Sequence, residues 1–498
     1  MAKIEFNSIK DTHGELLNQL VLKITGGNFK NIKQLLTLRN KSIEWQMRFL
    51  KKKITYWQRL VDEGVPGRSD KALGKLKDTT KQLEDISPKA TEELYTEEDN
   101  ALYVPPGLWF LCENIKNAAH ENTEIKPYYL PELRDYQREA LSCLYKYNRG
   151  VLELFTGAGK SRIIHSISIA AINSGKRVMI IVPSEYLVGQ MFDQLKSLNL
   201  NATAQGGGRM AKGGWDVLVT TVQSAGMYID IPHVLVTDEN HHAPSESLTN
   251  LLASAKNATH VYGLTATAIR GDGLDMAIFS FCGPVVFSRD VKWGVENKWL
   301  NPFTPISIQI TPRYSSGPKM GKPIIFPDTV QATTAYKVMI NSFNVMSLIR
   351  ERIIACVEKE RKPIIIYKTV EACKNIRKFC KDSVDMDVAS AQDGKKSKIP
   401  LVKFQKGDSN ILLSNSGLIS EGVDLVKADT LIQCCNHSSD IMTLQSLGRI
   451  LRLSEGKKNG ILLDISVSGF GQFERARDKR NEIYEYIVGK ENLKIIKL

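Results

Sequence analysis

Short apolar runs punctuate the chain, and each is closed by small or polar residues. The runs VLEL (151–154), VMIIV (178–182), HVLVT (233–237), PIIIY (363–367) and ILL (411–413) lack the alternation of a strand with one wet face. They read as strands buried on both sides of parallel sheets, separated by helical periodicities that would cover the faces. Taken singly, each is what any buried strand looks like. Function in such sheets rests on the polar residues at the C-terminal strand ends.

One helical pattern is unusual. In LQSLGRILRL (444–453), steps of three and four place Leu444, Leu447 and Leu451 on one face. Gln445, Arg449 and Arg452 share another. Arginine keeps its charge at any ordinary pH and is costly to bury without an anion, so two arginines flanked by core leucines imply an anionic ligand. A salt-bridged surface helix would suit the arginines but not the leucines.

The anion has a cradle. In RGVLELFTGAGKSRIIHS, a strand over 151–154 runs into a tight loop of Thr156, Gly157, Ala158 and Gly159, and a helix follows from Ser161. In that setting backbone N–H groups hold a triphosphate at a helix N-terminus. Lys160 would reach the β- and γ-phosphates and the Ser161 hydroxyl would bind magnesium. The full pattern asks for glycine where Leu154 stands. Downstream, HVLVTDENHHAP ends a buried strand in Asp238 and Glu239. Alone, that pair would be an ordinary capping turn. After a phosphate loop, Asp238 would hold magnesium through water and Glu239 would orient and deprotonate an attacking water. Arg449 and Arg452 would then stabilise charge on the γ-phosphate. ATP and Mg2+ are the expected cofactors.

Composition narrows the partner. The 498 residues allow about three domains, and the formal net charge of +13 favours a polyanion. No apolar run nears the ~18 residues of a membrane span, and the start MAKIEFNSIKDTHGE lacks a signal peptide's apolar core, so a cytoplasmic protein is expected. The eight cysteines show no paired C-x-x-C spacing, and reduced, packed thiols are expected rather than zinc or an iron–sulfur cluster.

In order along the chain, these motifs resemble the superfamily 2 helicases and translocases over residues 130 to 465. LRDYQREAL is similar to the adenine-side element, with Arg134 and Gln137 near the base. FTGAGKS resembles motif I, and IIVPSEYLVGQ motif Ia with Ser184 and Gln190. TTVQS resembles motif Ic with Thr221 and Gln223, and DENH the DExH box with His241 as nucleotide sensor. GLTATAIRGDG resembles motif III, where Thr265, Thr267 and Arg270 would face nucleic acid; the family's usual proline after T-A-T is Ala268 here. KPIIIYKTVEAC resembles motif IV, opening the second domain. LLSNSGLISEGVDL resembles motif V, with Glu421, Gly422 and Asp424 matching and Gly422 and Asp424 implied at the nucleotide; Asn415 or Ser416 replaces its customary threonine, and Ser416 would meet nucleic acid. QSLGRILR resembles motif VI, with Gln445 joining the arginines.

The resemblance implies an α/β fold of two tandem RecA-like P-loop domains, parallel sheets flanked by helices, with a small N-terminal α/β accessory domain. The expected limits are 1–125 for a DNA-binding accessory domain, 126–297 for the ATP-binding domain and 298–498 for the second. A DExH box with T-A-T and RDYQ resembles the DNA-repair side. No cysteine lies between Lys160 and Asp238 and no cysteine cluster follows motif VI, which disfavours the iron–sulfur and zinc-bearing branches. With only the stretch from Arg452 to Leu498 after motif VI, no restriction-type nuclease is expected.

The remaining resemblance is to the phage UvsW-type branch-migrating helicases, through ALYVPPGLWFLCENIKNA (101–118), read as strand, turn and helix. It implies an ATP-dependent motor on branched or duplex DNA, gripping the backbone, working as a monomer and meeting single-strand-binding or recombination proteins. KSIEWQMRFLKKKITYWQRL (41–60) interleaves lysines with Trp45, Phe49, Tyr56 and Trp57, as in a nucleic-acid surface or an amphipathic helix with its aromatics turned inward. The Gly/Pro-rich 310–329 is expected to lie between the motor domains, as a linker or as a hairpin near a duplex junction. A DExH-type RNA helicase and a non-catalytic DNA-binding module with a decayed motor remain the alternatives.

Overall fold

The structure is a computed structural model. It describes the chain except residues 1–8, 19–20, 27–28, 40, 63–68, 88–90, 117–123, 240–244, 268–274, 327–329, 390–397 and 417–424. It divides into two compact units, Met1–Glu153 with Ser161–Ser288, and Leu154–Lys160 with Arg289–Leu498.

The first unit opens with seven short strands: β1 (Ile9–Asn18), β2 (Val21–Gly26), β3 (Thr37–Arg39), β4 (Thr91–Glu93), β5 (Thr96–Glu98), β6 (Ala101–Val104) and β7 (Cys112–Lys116). Five form a mixed sheet in the order β5-β6-β2-β1-β7, and β3 pairs with β4. Only β7 joins its neighbour β1 in parallel. Here the structure departs from expectation: residues 105–116 are a 3-10 turn, Pro106–Leu111, followed by strand β7, not a helix. The cause lies about a hundred residues upstream. Thr12 Oγ1 donates to the Leu111 carbonyl at 3.3 Å and accepts from the Glu113 N–H at 3.0 Å, so β1 recruits the segment as a strand. The basic stretch forms the helix Lys41–Asp62, which packs on Ser69–Ile86. The side chains of Trp45, Phe49, Tyr56 and Trp57 lie outside the described residues.

The same unit holds a larger sheet of β8 (Arg149–Leu154), β9 (Val178–Ile181), β10 (Ala202–Gln205), β11 (Val217–Thr220), β12 (Val234–Asp238), β13 (His260–Thr265) and β14 (Val285–Arg289). Their order is β10-β11-β9-β12-β13-β8-β14. Strands β8 to β13 pair in parallel, so their C-terminal ends share one edge. A single apolar cluster runs from Leu22, Ile24 and Leu108 to Met179, Leu235 and Phe279, so the N-terminal module and this sheet share a core. The two approach closely at Gly107. A Cβ there would overlap the Phe279 carbonyl oxygen and lie 2.7 Å from the Ser280 carbonyl oxygen.

The second unit contains a seven-stranded sheet of β15 (Phe303–Ile310), β16 (Pro363–Tyr367), β17 (Asp387–Ala389), β18 (Leu412–Asn415), β19 (Thr430–Cys434), β20 (Gly460–Val467) and β21 (Lys494–Lys497). The order is β17-β18-β16-β19-β20-β15-β21, and every adjacent pair is parallel. Because β15 already belongs to this sheet, the 310–329 segment sits inside the second unit rather than between motor domains. It folds back through an Arg313–Pro323 bridge, and its base is tied by Arg313 N–H to Asn344 Oδ1 at 3.1 Å. The hairpin expectation fits this geometry and the linker expectation does not.

One buried ion pair locks this unit. Arg480, on the helix Gly471–Val488, donates from Nε to Asp464 Oδ2 at 2.6 Å and from Nη2 to Oδ1 at 2.9 Å, with both side chains 1% exposed. Tyr484 donates to Asp464 at 2.9 Å, and Arg480 Nη1 donates to the His437 carbonyl at 2.6 Å. The carboxylate holds the guanidinium pKa above its ordinary value despite burial. All eight cysteines are free thiols, and seven of them are buried. No helix among the described residues is long and apolar enough to cross a membrane.

Asp464→Asn leaves a buried guanidinium uncompensated and is expected to destabilise the protein by about 3–5 kcal/mol, read as a lowered urea midpoint. A loss below about 1 kcal/mol would show that solvent reaches the pair. Burial also pushes His165, His260 and His437 down to about 4, from an ordinary 6.5. The unfolded chain therefore binds more protons below pH 6.5. Stability should fall from there towards pH 4, by up to about 1.4 kcal/mol per pH unit for each imidazole. Equal urea midpoints at about pH 7.5 and about pH 5 would contradict this.

Candidate functional site

Strand β8 is apolar because both its faces are covered, and it ends in a loop that side chains could not build. Gly157 and Gly159 have φ of 92° and 77°, a region open to glycine at no steric cost. The Ala158 N–H closes a turn onto the Phe155 carbonyl at 3.0 Å, and the helix Lys160–Asn173 begins directly after Gly159. Lys160 and Thr156 are buried, at 9% and 7% exposure. The Thr156 hydroxyl has no hydrogen-bond partner among the described residues. An orphaned buried hydroxyl beside an ammonium and a helix N-terminus is the chemistry of an anion site. Ser161, the second residue of that helix, is half-buried.

Asp238 is the last residue of β12, and Glu239 follows it at φ 50°, where a non-glycine residue is strained. The turn is held by the Asp238 carboxylate, which accepts the Glu239 N–H at 3.1 Å. In the order β12-β13-β8, two strand spacings of about 5 Å each separate this carboxylate from the end of β8. Thr265 closes β13 between them: its hydroxyl donates to the Thr267 carbonyl at 2.7 Å and accepts the Thr267 N–H at 3.2 Å. The Thr267 hydroxyl is buried with no hydrogen-bond partner among the described residues. His241, Arg270, Gly422 and Asp424, with Glu421, lie outside the described residues.

The segment Leu154–Lys160 groups with the second unit, and there it meets the arginine helix. That helix is Asp440–Leu451, capped by Ser439, whose hydroxyl accepts the Met442 N–H at 3.3 Å. Thr443 to Leu451 are all buried, Gln445 at 3% and Arg449 at 2% exposure, so burial is not confined to a leucine face. The expectation that Arg452 shares a helical face with Gln445 and Arg449 is corrected. The helix ends at Leu451, whose carbonyl accepts the Asn301 N–H at 2.7 Å, and Arg452 is extended, with φ −61° and ψ 134°. Arg452 still reaches the loop: a Cβ on Gly157 would lie 3.2 Å from its Cγ and 3.6 Å from its Nε. A Cβ on Gly448 would lie 2.6 Å from Thr156 Cβ.

The other expected residues divide between cap and surface. Gln137 is buried, and its amide oxygen accepts the Arg134 N–H at 2.9 Å, starting the helix Asp135–Leu144, while Arg134 Nη1 donates to the Tyr136 hydroxyl at 3.1 Å. Ser184 caps Glu185–Ser197 by accepting the Leu187 N–H at 3.5 Å. Thr221 precedes the turn Val222–Ala225 and donates to Ser224 Oγ at 3.5 Å, Gln223 is exposed, and Ser416 follows β18 half-buried. The sequence reading missed the turn at Gly206 and Gly207. A Cβ on Gly206 would meet Ser224 Oγ at 3.4 Å, and one on Gly207 would meet Glu185 Cβ at 3.3 Å, so the turn joins both helix starts. The glycine triplet followed by Arg209 and Lys212 was the available signal.

The family described as Type III restriction enzyme, res subunit, covers residues 130–270, and the Helicase conserved C-terminal domain covers 344–454. The chain thus carries helicase-family domains and is similar to the superfamily 2 helicases. The DNA 3'-5' translocase XPB2 of Sulfurisphaera tokodaii is 26% identical over 387 residues, 70% of this chain and 84% of that protein. The ATP-dependent DNA helicase uvsW of Enterobacteria phage T4 is 22% identical over 388 residues, 73% of each chain. This helicase-family chain spans about half the length of several other curated relatives that it matches. A Type ISP restriction-modification enzyme, LlaBIII, solved bound to DNA, shares the fold at a TM-score of 0.52 and 16% identity, over 74% of this chain and 32% of that one. Helicase-family domains imply use of ATP.

Gly448→Ala would push the arginine helix off Thr156 and is expected to cut ATP turnover by about a hundredfold, with the thermal midpoint little changed. Turnover at the parent rate would show that the loop tolerates the displacement.

Proposed function

We propose that the protein is an ATP-dependent DNA translocase or helicase acting on branched DNA such as forks and four-way junctions. Residues 1–125 would serve as an accessory DNA-binding domain, and 126–297 and 298–498 as the two motor domains. The observation that carries the reading is the loop at Gly157 and Gly159, with an orphaned Thr156 hydroxyl beneath it and Arg452 against it.

In this reading Ser161 and Asp238 hold magnesium, which when bound neutralises charge on the β- and γ-phosphates. Loop N–H groups and Lys160 bind the phosphates, with Arg134 and Gln137 on the base side. Glu239 takes the proton of the attacking water, and the turn anchored by Asp238 orients it. Arg449 and Arg452 stabilise charge developing on the γ-phosphate, aligned by Gln445; His241, Gly422 and Asp424 complete the nucleotide contacts. Ser184, Thr221, Gln223, Thr265, Thr267, Arg270 and Ser416 grip the nucleic-acid backbone, which makes binding sensitive to salt and nearly indifferent to sequence. The hydrogen-bonded T-A-T turn links that grip to the nucleotide edge. The relatives' names support DNA as the track: one is a DNA translocase and another a DNA helicase.

ATP turnover and strand displacement, measured together on single strands, blunt duplex, fork, four-way junction and RNA, test the reading. Junctions should stimulate most. Lys160→Ala should abolish turnover and Arg452→Ala should lower it by about 10³ or more. Stimulation by RNA alone would make the protein an RNA helicase, and turnover untouched by Lys160→Ala would remove the motor.

A further inference from the structure

The loop joining β10 to β11 has no part in the mechanism above beyond its first turn. Its sequence, GGGRMAKGG (206–214), contains two cations and no acid. It is held in shape. Gly206 and Arg209 exchange backbone hydrogen bonds at 3.1 Å, and the Ala211 N–H donates to Gln205 Oε1 at 2.8 Å. The Lys212 N–H donates to Thr203 Oγ1 at 3.2 Å, and Asn201 Nδ2 donates to the Gly214 carbonyl at 2.6 Å.

Beside the loop lies a groove of 510 Å³ lined by Phe192, Lys196, Arg209, Met210, Lys212 and Trp215. The Arg209 guanidinium and the Lys196 ammonium both lie over the Phe192 ring, at 6.0 and 5.8 Å from its centroid. The helix beneath makes room for this: a Cβ on Gly189 would sit 3.1 Å from Arg209 Nη1. Among the described residues no carboxylate pairs with Lys196, Arg209 or Lys212. Met210, at the tip, is 80% exposed.

Two cations over the Phe192 ring, with Lys212 lining the same groove and no described carboxylate paired to any of them, favour an anion. The aromatic wall favours an anion that also carries sugar or base surface. An acidic polypeptide would answer the charges but not the aromatic wall. The root of the loop touches Ser224 and Glu185, neighbours of Thr221 and Ser184, so the groove continues that face outward to the edge strand β10. We propose that this groove binds the phosphodiester backbone of nucleic acid. Arg209 and Lys212 contact successive phosphates, and Phe192 lies against the sugar. The track is thereby extended beyond the motor motifs. This inference rests on the nucleic-acid reading given above.

The test is binding of a blunt DNA duplex across a salt series by the full chain and by the Arg209→Gln/Lys212→Gln variant. Both positions are surface side chains outside the nucleotide machinery, so ATP turnover without nucleic acid should be unchanged. Loss of two phosphate contacts should flatten the log affinity against log salt slope by about 2, and Arg209→Lys/Lys212→Arg should restore it. If the parent protein binds DNA and the Gln variant has the same slope, the groove assignment fails and the motor reading stands. A parent protein that binds no DNA ends both. A variant that loses binding of polyglutamate but not of DNA overturns the inference in favour of an acidic polypeptide.

Discussion

The contact between Gly448 and Thr156 constrains everything around it. A hydrogen in place of a methyl group lets a fully buried helix turn come down on the loop that leaves β8. That loop is shaped by backbone, through Gly157 and Gly159 at positive φ. Arg452 can lie against Gly157 because that glycine offers no Cβ to hold it off. Larger residues at Gly157 or Gly448 would push Arg452 and the arginine helix away from the loop.

Around that contact, the sheets do the positioning. Parallel pairing from β8 to β13 brings the loop, Thr265 and Asp238 to one edge, while the buried strands supply the rigidity. The strain at Glu239 is offset by one hydrogen bond from its own N–H to Asp238, so the carboxylate that would meet water is aimed by backbone geometry. In the second unit the Asp464–Arg480 pair reaches the His437 carbonyl, just before the arginine helix begins. The C-terminal helix thereby steadies the start of the helix that touches the loop.

Much of this was legible in the chain. The strands at 151–154, 178–182 and 363–367 announced themselves because strands buried on both faces cannot alternate. The phosphate loop was legible because its chemistry needs particular residue types in consecutive order. What escaped was set by partners far away in sequence. Arg452 leaves the helix because the Asn301 N–H takes the Leu451 carbonyl, and nothing local in ILRL signals that. Residues 112–116 became a strand because Thr12 binds both sides of Leu111–Glu113, a tertiary demand that overrides local pattern. The 310–329 segment looked like a junction between domains because it is rich in glycine and proline; the pairing of β15 with β20 and β21, distant in sequence, puts its start inside the second unit. The Gly206 turn is sparse in side-chain chemistry, and its placement against Ser224 and Glu185 shows only in three dimensions.

The seam at Gly107 has a mechanical meaning. Its backbone lies directly against the carbonyl oxygens of Phe279 and Ser280, and one apolar core continues across it. Such a joint has no slack for a hinge. Any displacement of the sheet β8 to β14 is therefore carried into the N-terminal module rather than absorbed at a tether.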